Sequence, residues 1–207
     1  MLEDIIRTIF NAPPSKRKVM EDIELMRNET GEWSAGLYPW VANNELDLLS
    51  LNHSHKWVKK GGSKMLKGVL YSIYNEPMIV VGYKNYLRSG LNTLIWITTK
   101  KHEIVYRGTK DKTEFFINRE PVGHITSDGL MYGGTRGRLL GRRNNFSEEY
   151  YSIVIWDKEV AHLLRPSHID RVNPRAFEVL EKMSEKEELL LLALGTLTIL
   201  QEIFELD

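Results

Sequence analysis

The sequence predicts a mainly β protein: an antiparallel β-barrel or barrel-like sandwich enclosing a hydrophobic C-terminal helix, with short helices ahead of it. Three observations carry this. From about Glu45 to Leu164 the chain is a series of short runs rich in Val, Ile, Tyr, Phe and Trp, punctuated by Gly, Asn-Asn, Asp-Gly and Gly-Gly. Many of these runs are only two to five residues apart, which leaves no room for crossover helices and makes consecutive strands antiparallel neighbours. Finally, Leu189 to Leu200 is apolar on nearly every side, as a helix surrounded by protein must be.

Taken in order, Leu2, Ile5, Ile6, Ile9 and Phe10 form the stripe of a short amphipathic helix, which Pro13-Pro14 ends. Ser15 to Asn28 gives a second helical pattern through Val19, Met20, Ile23 and Met26, with Gly31 as its stop. Residues 1–30 thus read as a helical N-terminal appendage, and 31–207 as the barrel domain. Trp33 to Trp40 is aromatic and turn-rich, and its pattern assigns no element. The clearest strands are Val69 to Tyr74, Met78 to Tyr83, Thr93 to Thr98, Ile104 to Arg107, Glu114 to Ile117, Val122 to Thr126, Tyr150 to Trp156 and Val160 to Leu164.

Within them lies a weak internal repeat. Phe115 to Ile125 matches Val154 to Leu163 once one residue is skipped, and Ile73 to Pro77 resembles a degenerate third copy. Each is an apolar strand, a polar turn seeded by Asn or Asp, and a second strand. That is hairpin chemistry, because Asn and Asp tolerate the turn's backbone angles. At the C-terminus, Asn173-Pro174 predicts a helix start, with Ala176, Phe177, Leu180 and Met183 on one face. Ser184 and Glu187 then form a capping box before the apolar run, giving a central helix over 184–206. Twelve residues cover roughly 18 Å at helical rise, against roughly 30 Å of bilayer hydrocarbon, so the run reads as buried in protein.

Composition narrows the function classes. The absence of cysteine excludes disulfides, thiolate metal sites, a Cys nucleophile and S-acylation. Acids in MLEDIIRTIF and the lack of an export-type apolar region make a cytoplasmic protein the expectation. Basic and acidic residues balance, so no nucleic acid is expected, and an electrostatic partner must be read by a local patch. There is no G-x-S-x-G, Walker loop or dinucleotide fingerprint. The expectation is a non-enzyme without cofactor.

The segments INREPVGHI, the Asp128-Gly129 turn, YYSIVIWDKEVAHLL and EKEELLLLALGTLTIL resemble the tubby C-terminal-like superfamily, which includes tubby domains and phospholipid scramblases. The resemblance covers roughly the last ninety residues. It implies a closed barrel around a central C-terminal helix, and a binding role at a lipid surface. The scramblases' cysteine cluster and proline-rich tail are absent here.

Two basic clusters are the candidate ligand site. Lys56, Lys59, Lys60, Lys64 and Lys67 lie beside Trp57 and Gly61-Gly62 with no acid among them, and Arg136, Arg138, Arg142 and Arg143 surround Gly137 and Gly141. Guanidinium forks suit phosphate oxygens, and a Trp amid lysines suits a lipid interface. The expected ligand is an anionic phosphate-bearing group such as a phospholipid head group, at a peripheral membrane surface. Lysines on a strand edge also deter sheet aggregation without any ligand. One rival reading is a metal-dependent barrel enzyme using His53 and His55, with His102 as third ligand, since H-x-H on a strand points both imidazoles to one face; another is a protein-interaction scaffold with no small ligand. The N-terminal helices are the candidate surface for self-association.

Overall fold

The computed structural model describes residues 14–39, 45–60, 63–86, 93–134, 137–168 and 174–204. Twelve strands form one sheet in sequence order, each antiparallel to the next. They are β1 (Leu49–Lys60), β2 (Ser63–Ser72), β3 (Pro77–Asn85), β4 (Thr93–Thr98), β5 (Glu103–Gly108) and β6 (Lys112–Ile117), then β7 (Glu120–Thr126), β8 (Leu130–Gly133), β9 (Arg138–Asn145), β10 (Tyr150–Ile155), β11 (Lys158–Leu164) and β12 (Phe177–Val179). The sheet curls into a nearly closed barrel. Its last strand region meets its first, where Leu51 N–H donates to the Pro174 carbonyl at 3.1 Å and Ala176 N–H to the Leu49 carbonyl at 2.7 Å.

The internal repeat has a structural basis. At β6–β7, Asn118 and Arg119 turn the chain with φ of 50° and 72°, the left-handed angles of a two-residue hairpin turn. Ile117 then pairs with Glu120 and Phe116 with Pro121, after which the pairing skips Val122. β10–β11 skips Val160 in the same place, and β8–β9 skips Leu140. Each bulge turns two neighbours inward. The larger one packs on the core, and the smaller one, Gly123, Ala161 or Gly141, sits opposite the core residues Phe115, Ile153 and Ile155. A Cβ on Gly123 would overlap the Tyr132 carbonyl. The turn expected at Asp157 begins one residue earlier, at Trp156, which takes φ of 53°.

The C-terminal helix, Glu185–Ile203, fills the barrel. Ser184 Oγ accepts from Glu187 N–H at 3.4 Å, and a Glu187 carboxylate oxygen accepts from Ser184 N–H at 2.7 Å, completing the capping box. Every residue from Leu190 to Leu200 is buried. The two threonines turn their hydroxyls back onto the helix, Thr196 to the Leu192 carbonyl and Thr198 to the Leu194 carbonyl. Tyr106 on β5 donates to the Ala193 carbonyl at 2.7 Å. The helix expected to start at Asn173-Pro174 is not there: Phe177–Val179 is strand, paired with Ala161–Leu163. Asn173 lies outside the described residues. Phe177 is needed as strand because its ring lies against Gly195, where a Cβ would collide with it. Among the described residues no helix is long and apolar enough to cross a membrane.

Outside the barrel lie α1 (Lys16–Glu29) and α2 (Gly31–Ala35); the final helix is therefore α3. Val19, Ile23 and Met26 pack with Leu37 on Met65, Val69, Val80, Leu94, Trp96 and Val105. Those strand residues alternate with inward-facing ones, so β4 is apolar on both faces and reads TLIWIT without interruption. Ion pairs lock this second core. Asp22, with its side chain 2% exposed, accepts from Lys84 Nζ at 2.8 Å, the Tyr86 hydroxyl at 2.6 Å and Lys18 Nζ at 3.0 Å. Burial pushes the Asp22 carboxyl upward, but these donors outweigh it and hold the group below its ordinary range. Arg27 forks onto Glu103 through Nε at 2.9 Å and Nη2 at 2.7 Å. Glu103 also accepts from Trp96 Nε1 at 2.8 Å, and it too is held low against the upward pull of its burial. The apolar face of α1 is therefore spent on the barrel itself. The stripe from Leu2 to Phe10 lies outside the described residues.

Candidate functional site

β1 and β2 form a long hairpin whose register places Lys56 opposite Lys67, Trp57 opposite Leu66 and Lys59 opposite Lys64. Neither strand contains an acid. Strand alternation sends His53, His55, Trp57 and Lys59 to the face that continues the barrel interior, since Trp57 stands opposite the core residue Leu66 and edge-on to Tyr83 at 6.3 Å. Trp57 is nonetheless 42% exposed. Lys64 Nζ lies 4.0 Å above its ring, a cation–π contact. On the opposite face, Lys67 Nζ donates to the Glu29 carbonyl at 2.9 Å, where it serves the C-terminal end of α1. Lys56 stands across from it, exposed. The Lys60 side chain and Gly61-Gly62 lie outside the described residues.

The arginines do not assemble. Arg143 stands opposite Ile153 on the inner face of β9, and its Nη1 donates to Thr198 Oγ1 at 3.3 Å. Arg142 stands opposite Val154 on the other face, and Arg138 is exposed at the start of the strand; Arg136 lies outside the described residues. Adjacent residues on a strand cannot share a face, so a fork set on one side of the hairpin is geometrically excluded for Arg142 and Arg143. Arg143 belongs to a strap at the C-terminal end of α3. Its guanidinium carbon lies 4.9 Å from the Tyr151 ring centroid, Arg165 covers the same ring at 4.1 Å, and Tyr151 donates to Glu202 at 2.7 Å. Burial, and then the Glu202 carboxylate, raise the Tyr151 phenol above its ordinary range.

The histidines are also dispersed. His53 and His55 stack at 5.6 Å, and Phe204, at the C-terminal end of α3, meets both edge-on at 5.5 and 5.2 Å. His102 sits instead beside Asn118, in the field of Glu185 at the start of α3. Those two ends are about 28 Å apart at helical rise, so His102 cannot join the pair. Among the described residues no group of three His, Asp or Glu could hold a metal. His124 stacks on Tyr132, and His162 lies against Phe146 between Glu159 and Glu178.

Of the residues singled out in the sequence, the structure therefore brings Lys59 and Lys64 together around Trp57 and separates the arginines. Arg165 and Tyr151 carried no sequence signal, because their partners are contributed by β9 and the end of α3. No family model, no curated protein and no solved structure matches this chain.

Proposed function

We propose that this protein is a non-catalytic binding module that holds an anionic phosphate-bearing ligand, above all a phospholipid head group, on the β1–β2 hairpin. The observation that carries the reading is Lys59 directly opposite Lys64 beside the half-exposed Trp57, with no acid on either strand. Like charges directly opposite each other weaken a strand pair. An anion between them removes that repulsion and gains charge-assisted hydrogen bonds. The indole supplies the amphipathic body that suits a boundary between water and acyl chains. A barrel wrapped around its C-terminal helix is the architecture that the tubby-like resemblance implies; the functional reading rests on the hairpin and not on the fold.

The test is retention on vesicles of phosphatidylcholine with and without phosphatidylserine or a phosphoinositide, at low and moderate salt. Retention should require the anionic lipid and fall as salt screens it. Each lysine near an anionic surface contributes about 1 kcal/mol, so Lys59→Gln with Lys64→Gln should weaken binding roughly 30-fold. Retention that ignores the head group, or that survives the double substitution, sinks the proposal.

A further inference from the structure

A second surface, on the other side of α1 from its ion pair with Lys84, has the chemistry of an amphiphile site. Between α1 and the β5–β6 wall lies a groove of about 360 Å³, within the size range of small-molecule sites. Its floor is Val19, Ile23, Val105 and Phe116, with Met20 at the mouth. Along the outer face of β5 the order is Glu103, Val105, Arg107, so the groove has a carboxylate at one end and a guanidinium at the other. The two ends differ. Glu103 is fully engaged by Arg27 and Trp96, whereas Arg107 has a buried Nε without a hydrogen-bond partner among the described residues.

Arg119 also lines the groove, but its charge acts on Glu103 at the carboxylate end. Lys16 lines it too, and neither Lys16 nor Arg107 takes part in an ion pair among the described residues. The acid facing Arg107 across the strands is Glu114, which stands 3.8 Å from Lys112. The guanidinium of Arg107 lies 5.9 Å from the Phe116 ring, so it borders the apolar floor directly. A guanidinium without an ion pair that borders an apolar floor suits a ligand with an acidic head and one apolar tail.

We infer that the groove binds a single-chain fatty carboxylate, with its head on Arg107 and its tail over Val105, Phe116 and Ile23. This site is independent of the hairpin and stands or falls separately. Octanoate is the probe, titrated into the full chain while the Met20 methyl resonance is followed by NMR; octanol carries the same tail without the charge, and acetate the head without the tail. Octanoate should shift Met20 saturably, with acetate inert and octanol about tenfold weaker. Arg107→Gln should lower octanoate affinity about tenfold and leave octanol unchanged. Met20 is 54% exposed, so Met20→Glu should leave the thermal melt intact. It should abolish octanoate binding, measured by calorimetry, and leave retention on anionic vesicles unaltered. The inference is overturned by an absent or unsaturable octanoate shift, by octanol binding as tightly as octanoate, or by Arg107→Gln without effect.

Discussion

The helix inside the barrel, α3, and the helix on its wall, α1, are anchored in opposite ways. α3 presents leucines on every side and meets a ring of strand side chains, so its burial is hydrophobic in every direction. α1 offers a narrow buried stripe of Val19, Ile23 and Met26, and most of its other residues are charged. Its position is set by the Asp22–Lys84 and Arg27–Glu103 pairs. The comparison separates affinity from orientation. An all-round apolar helix gains by entering the barrel at any rotation, and a few contacts distinguish one rotation from another: Gly195 against the Phe177 ring, Tyr106 on the Ala193 carbonyl, Arg143 on Thr198 and Tyr151 on Glu202. For α1 the apolar stripe supplies the affinity and the ion pairs fix the orientation, since each fails if the helix slides by a turn.

The largest effect should come from charging the inner helix. Leu192 is fully enclosed, and Leu192→Asp leaves an unpaired buried charge costing several kcal/mol against a total stability of roughly 5–15 kcal/mol. The variant should be insoluble or unfolded; soluble expression with the wild-type melting temperature would refute the central role of α3.

Breaking the outer anchor should cost less. Asp22→Ala strands the Lys84 ammonium in the second core, and removal of one partner of a buried pair costs about 3–5 kcal/mol, readable by urea unfolding. Asp22→Leu with Lys84→Met should recover most of that loss; if the double variant is as unstable as the single one, the ion pair is not what the single variant lost. Acid distinguishes the helices in the same way. The folded-state pKa values of Asp22 and Glu103 are depressed. Their stabilisation is therefore complete above the unfolded carboxyl values near 4 and disappears as pH falls through the lower folded values. Hydrogen-exchange protection should thus fall in α1 before the middle of α3. Simultaneous loss would mean that the two cores open as one.

The smallest effect belongs to the entrance of the inner helix. Ser184→Ala removes the side-chain half of the capping box and should cost about 1 kcal/mol, seen as a modest drop in melting temperature. A cost as large as that of Asp22→Ala would show that the cap, and not the leucines, holds α3 in place.

The same contrast explains what the sequence made legible. Leu189 to Leu200 read as a helix enclosed by protein because its pattern leaves no polar face and its length is too short for a bilayer. β4 and β10 were equally plain, being runs dominated by β-branched and aromatic residues. β1 was not read as a strand because NHSHKWVKK lacks apolar alternation, and β9 was hidden by its arginines for the same reason. Phe177 has the spacing of a helix with its neighbours, but closing the barrel against Gly195 outweighs that local pattern. Asp22 and Lys84 are 62 residues apart, and no local rule connects them. At the candidate site, the lysine–tryptophan cluster was visible as composition. The dispersal of the arginines followed from strand pairing, which places Arg143 inward opposite Ile153.

The position of α3 also sets an order of events during synthesis. Every strand pairs with its neighbour in the chain, so the hairpins can form one after another as they emerge, with short loops to close. None of them can bury its inner face until Glu185–Ile203 has followed. The growing chain therefore carries an unfilled sheet, apolar on the inside, until that helix has been made, and is most exposed to aggregation just before the plug arrives.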